Sequence, residues 1–153
     1  MILPIARTAY RNWFACVTLL GMASMAFGEL PTLELTAGLY RIETEVAASD
    51  ANRRVGLMHR ERLATNRGML FVFPEVSAHC MWMKNTLIPL SVAFLDEDGK
   101  VINIADMTPH SLDSHCAGRP ARFALEMNQG WFSGKGIGPG SRIGGVAKAP
   151  RPQ

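Results

Sequence analysis

The sequence predicts one β-dominated domain, a small sandwich or partly closed barrel of about seven short strands with one or two short helices. Three observations predict it. Residues 40–47, YRIETEVA, alternate strictly, with Ile42, Thr44 and Val46 on one face and Arg41, Glu43 and Glu45 on the other. That is the period of a half-buried strand, expected in an antiparallel sheet. Residues 68–73, GMLFVF, form an unbroken apolar run closed by Pro74, as a buried strand would be. The runs 91–95 and 100–105 flank DEDG, which predicts a hairpin turning at residues 96–99.

Ahead of this domain, residues 1–28 read as a cleavable secretory signal. Arg7 and Arg11 are the only charges in MILPIARTAYR, and residues 13–27 carry none. Ser24 with Ala26, or Ala26 with Gly28, supplies the small-x-small exit that signal peptidase requires. The apolar stretch is shorter than the roughly 18 residues of a membrane span. The expected boundaries are therefore a signal at 1–28, one domain at 29–147 and a disordered tail at 148–153, in a periplasmic or secreted protein with no membrane span after cleavage.

Within the domain, Ser49 or Asp50 can cap a short helix carrying Ala51, Val55 and Met58 at helical spacing, with Gly56 weakening its end. A strand is expected at 80–84. Residues 122–127, RFALEM, fit helix or strand, and the β-rich context favours strand. Gly134, Gly136, Gly138, Pro139 and Gly140 mark a loop before a last short strand at 142–146.

Charge excludes little beyond nucleic acid. The whole chain carries 16 basic and 13 acidic residues. Loss of the signal removes only Arg7 and Arg11, leaving a balance of +1, with the basic residues scattered among acids rather than gathered into a patch. Cys80 and Cys116 remain as an even pair, a disulfide candidate in an oxidising compartment.

Three segments carry a further resemblance. At GLMHRERL, GMLFVF and CMWMKNTLIPL the chain resembles the bacterial and archaeal domain-of-unknown-function family numbered 192. Residues 56–60, 68–71, 82–89, 96–99 and 125–130 with Gly140 fill that family's segments in order. The resemblance implies a compact β-dominated domain and brings no reaction or cofactor with it.

Three constellations can carry chemistry. In MWMKNT, strand geometry would put Trp82 and Lys84 on one face with Cys80, and Met81 with Met83 on the other. An indole plate beside Lys84, Asn85 and Thr86 is a candidate binding surface, and Arg54 and Arg60 join it if the short helix packs there. The competing reading places Trp82 in the core and gives Asn85 and Thr86 to a tight turn. Second, His79, Cys80, Met81 and Met83, with Met107, His110, His115 and Cys116, are soft donors suited to Cu(I). Adjacent strand residues point to opposite faces, however, so HCMWM cannot turn all its donors on one ion. Third, SHCAGR at 114–119 sets His115 beside Cys116, but neighbouring side chains on extended backbone diverge. The sequence thus favours an exported, non-catalytic accessory or ligand-binding domain. It is expected to be a monomer, with no resident metal or cofactor, and to take a small molecule or envelope partner. Soft-metal handling and a thiol enzyme using Cys116 or Cys80 are the alternatives.

Overall fold

The computed structural model describes residues 30–153; the expected signal at 1–28 lies outside the described residues. The elements follow as β1 (Thr32–Ala37), β2 (Tyr40–Ala47), α1 (Asp50–Val55), β3 (Arg67–Ser77), β4 (Cys80–Met81), β5 (Leu90–Leu95), β6 (Val101–Met107), β7 (His115–Cys116), β8 (Ala121–Asn128) and β9 (Ile143–Gly144). Seven of these strands form one sheet in the order β6-β5-β8-β3-β2-β1-β9, while β4 and β7 pair as a separate ribbon. The pairing of β2 with β3 is parallel and the others are antiparallel.

The sheet curls into a partly closed barrel. Its two outer strands meet at one end, where Lys100 bridges Arg142. There the Val101 N–H donates to the Ser141 carbonyl and the Ile143 N–H to the Gly99 carbonyl, each at 2.8 Å. Gly99 makes this seam possible. Its φ is +76°, and a Cβ there would stand 2.3 Å from the Ile143 carbonyl oxygen. Gly99→Ala is therefore expected to destabilise the domain by at least about 2 kcal/mol, combining a left-handed non-glycine backbone with a clash. Denaturant unfolding of the two proteins measures the difference.

Two apolar layers lie on opposite faces of the sheet. The barrel interior collects Leu35, Ile42, Val46, Leu70, Val72, Leu95, Phe123, Leu125 and Phe132. The outer layer holds Met69, Phe71, Phe73, Val92, Phe94 and Ala124, covered by Leu57, Met83 and Ala117. This explains the unbroken GMLFVF run: both faces of β3 are buried, so alternation disappears.

The structure corrects several expectations. β2 has one antiparallel and one parallel neighbour, because α1 and the loop after it carry the chain across to β3. Pro74 does not end β3. A register shift between Val72 and Ser77 absorbs it, and the Arg122 guanidinium donates to the Phe73 and Pro74 carbonyls at 3.0 Å each, satisfying acceptors that the bulge leaves unpaired. The strand expected at 80–84 is two residues long, and the one expected at 142–146 is Ile143–Gly144 followed by a 3-10 turn at Val146–Lys148. β1, unpredicted, shows its own alternation in TLELTA, with Leu35 and Ala37 buried. The DEDG hairpin holds as expected: the Asp96 carboxylate accepts the N–H groups of Asp98 at 3.1 Å and Lys100 at 2.9 Å.

Candidate functional site

The site begins with one residue on β8. Alternation along that strand sends Phe123, Leu125 and Met127 into the barrel, and Ala124 and Glu126 to the outer layer. Glu126 pairs in register with Met69 on β3 and Val92 on β5, near the middle of the sheet. It is 4% exposed, the only charged side chain in the buried set among the described residues. Desolvation pushes its carboxyl up from 4.5 to about 8, with no hydrogen bond or charge opposing the shift. Among the described residues, no polar side-chain atom sealed from solvent is left without a partner. The partnerless Glu126 oxygens therefore open onto a notch of about 30 Å³, the room of one or two water molecules.

Two loops wall this notch, and a third braces them. The first follows α1, whose N-terminus is capped by the Ser49 hydroxyl accepting the Asn52 N–H at 3.2 Å. Arg53 fixes the helix by donating to the Ala48, Val72 and Gln153 carbonyls and to the Asp50 carboxylate. Gly56, with φ +50°, lets the backbone lie flat on Phe71, whose ring would stand 3.0 Å from a Cβ there. The second loop runs from Trp82 to Pro89, and the third from Thr108 to Ser114. Backbone bonds tie them together: His59 N–H to Asn85 O at 2.9 Å, His110 N–H to Thr86 O at 3.1 Å, and Met83 N–H to Ser111 O at 3.1 Å. His59, Asn85 and His110 all adopt positive φ, 62°, 58° and 62°. Asn and His tolerate that region better than most side chains, yet each still costs on the order of 1 kcal/mol or more. All three strained residues of the described chain gather at the Asn85–Thr86 peptide.

The structure sorts the candidate residues named by the sequence. Trp82, Thr86 and Arg54 line the notch with Glu126, Met58 and Phe71. Trp82 is half exposed and Thr86 is buried. Lys84 stands 5.4 Å from the Trp82 ring centroid, a cation–π contact at the mouth. Asn85 forms the turn through its backbone, and its side chain is exposed. Arg60 turns away to a bidentate pair with Glu45, one contact at 2.6 Å; that hydrogen-bonded pairing raises its already high pKa. The pair sits in a larger cleft of about 510 Å³ which shares Val55, Gly56 and Met58 with the notch as a common wall. Glu126 is the residue that sequence reasoning missed. Its signal was a lone acid in the apolar stretch FALEM.

Cys80 and Cys116 are bonded to each other across the β4–β7 ribbon. In this state neither offers the thiolate that a nucleophile or soft-metal ligand needs. His79 stacks on Phe73 at 3.7 Å between centroids and points Nε2 to the Glu75 carbonyl at 2.8 Å. Met83 and Met107 are core residues. Among the described residues no three His, Cys, Asp or Glu side chains converge, and no helix is long and apolar enough to cross a membrane.

The sequence profile of DUF192, described as an uncharacterized ACR, matches residues 33–145, most of the chain and every strand of the fold except the start of β1. The chain belongs to the DUF192 family. Solved structures agree. A Sinorhizobium meliloti 1021 protein, provisionally described as a transcription regulator, is 34% identical, with a TM-score of 0.69 over 75% of this chain and 92% of its own. A Novosphingobium aromaticivorans DSM 12444 protein of unknown function is 31% identical, with a TM-score of 0.68 over 77% of this chain and 88% of its own. No curated protein matches the sequence. DUF192 membership thus carries the fold, and the site must speak for function.

Proposed function

We propose that this DUF192 protein is an exported, non-catalytic accessory domain that holds a small ligand over Glu126. The observation that carries this reading is the partnerless, buried Glu126 carboxyl opening onto a notch walled by Trp82, Thr86 and Arg54. An unpaired buried acid is destabilising, and so are the three left-handed non-glycine residues in the loops tied around Asn85 and Thr86. Such costs gather at sites where geometry serves binding rather than folding. Export is supported by the leader pattern of residues 1–28 and by a bonded cysteine pair, which suits an oxidising compartment. Among the described residues Arg41, Arg53, Arg60, Arg67, Arg119 and Arg122 are each paired with an acid, which spends much of the basic charge within the chain.

Two measurements test the halves of the proposal. The mass of the protein recovered from periplasm or medium should correspond to a chain beginning after Ala26 or Gly28; an intact chain confined to the cytosol would sink the export half. For the site, a chemically mixed fragment library is screened by amide NMR. Fragments should shift resonances of 54–58, 82–86 and 126, and Trp82→Ala and Lys84→Ala should weaken them at least tenfold with the spectrum otherwise unchanged. If no fragment of any class perturbs these residues, or if both variants simply unfold, the residues are structural and the reading fails.

A further inference from the structure

The ligand site proposed at Glu126 can be narrowed to a chemical class, an inference that rests on that reading. Charge around the notch is arranged in two layers. At the floor, Glu126 and Thr86 are buried, 4% and 5% exposed. At the rim, Arg54 from α1 is exposed and joined to no acid among the described residues, and Lys84 leans on Trp82. Arg53 also lines the notch but is consumed by the Ala48, Val72 and Gln153 carbonyls and Asp50. β3 and β5 place only Met69 and Val92 beside Glu126, so no second carboxyl or imidazole from the sheet competes with it.

Each simple ligand class meets one layer badly. A plain cation must pass Arg54 and Lys84, and like charges repel in a partly desolvated site. A plain anion suits the rim but offers the floor no positive charge, so it meets Glu126 only in the neutral form. A neutral molecule leaves the rim unused. A molecule with an ammonium at one end and an anion at the other satisfies both layers, because each charge-assisted hydrogen bond then falls on an opposite charge. We propose that the site takes a small amphoteric molecule, its ammonium end on Glu126 and Thr86 and its carboxylate or other anionic end on Arg54.

Protonation gives this proposal a second signature. Burial keeps Glu126 protonated up to about pH 8 in the ligand-free protein. An ammonium recruits the ionised form, so binding expels a proton from the carboxyl to solvent, and affinity should rise about tenfold per pH unit from pH 6 towards 8.

The test uses the full mature protein and four matched probe series of two to six carbons: ω-amino acids, alkylammonium ions, alkanoates and alkanamides. Amide NMR and calorimetry in two buffers of different ionisation heat read affinity and proton release. The best ω-amino acid should bind at least tenfold more tightly than its three counterparts and release close to one proton at pH 6.5. Glu126→Gln, isosteric and uncharged, should erase its advantage over the alkanoate. Arg54→Ala should erase its advantage over the alkylammonium ion. Equal binding of the zwitterion and a single-charge counterpart, zwitterion binding that survives Glu126→Gln, or no shift from any series overturns the proposal. Library fragments of another class that still shift 54–58, 82–86 and 126 would leave the ligand-site reading standing while the amphoteric assignment falls; silence from the library removes both.

Discussion

Raising the pH from 4.5 to about 8 is expected to remove several kcal/mol of folding stability, and Glu126→Gln is expected to abolish most of that loss. The sign follows from where the proton sits. The Glu126 carboxyl titrates near 4.5 in the unfolded chain and near 8 in the folded one, so between those values the native state holds the proton more tightly. Stability from this group is complete below pH 4.5, falls as pH rises and levels off above about 8. The slope approaches about 1.4 kcal/mol per pH unit, with an upper bound of roughly 5 kcal/mol across the window. Gln keeps the shape and cannot ionise, so the variant should track the wild type at low pH and exceed it increasingly above pH 6. Denaturant unfolding of both proteins at half-unit intervals from pH 4 to 9 gives the difference directly. A flat difference would show that the carboxyl is solvated in the folded state, and the notch would lose its defining group.

Removing the Cys80–Cys116 bond should produce the next largest change. The bond closes a sequence separation of 36 residues, for which chain entropy gives roughly 4 kcal/mol, with about 2–4 kcal/mol the practical range. It also holds a ribbon whose two strands are only two residues each, far too short to pair stably on their own. The ribbon contributes Met81 to the outer layer, with Ala117 just past its end, and nothing to the barrel interior. The Cys80→Ala/Cys116→Ala double variant should therefore unfold at lower denaturant while its interior amides keep their chemical shifts. Reductant should reproduce the effect in the wild type and leave the variant unmoved. An unchanged midpoint would mean that the ribbon is held by its packing alone.

Much of this fold could be read from local pattern. The alternation in β2, the Ser49 cap and the Asp96 turn each depend on neighbours close in sequence, and each is found where the residues placed it. What escaped depends on contacts far apart in the chain. The parallel register of β2 and β3 is set by how the intervening segment crosses, and the passage of Pro74 through β3 relies on Arg122, 48 residues away. The site divides in the same way. Trp82, Thr86 and Arg54 were visible as residue types suited to a surface, and they do share one wall. Arg60 looked equivalent to Arg54 in sequence, but Glu45, on the neighbouring strand, claims it. Glu126, a lone acid in FALEM, escaped notice because an acid on a strand normally marks the solvent face. Here both faces of β8 are covered, and its outward face lies beneath loops contributed from residues 56–58 and 82–86.

The two layers on either side of β3 and β8 have a consequence for how this domain can change over generations. The barrel is sealed by residues that never reach the notch, and its seam at Gly99 lies among residues that do not line it. Substitutions at the side chains that line the notch therefore act on the outer layer, and sites distant from the barrel interior contribute to stability nearly independently of it. On the proposed ligand-site reading, a lineage can recut the notch for a new small molecule without renegotiating the scaffold that holds it, and members sharing this barrel at about a third identity need not share a ligand.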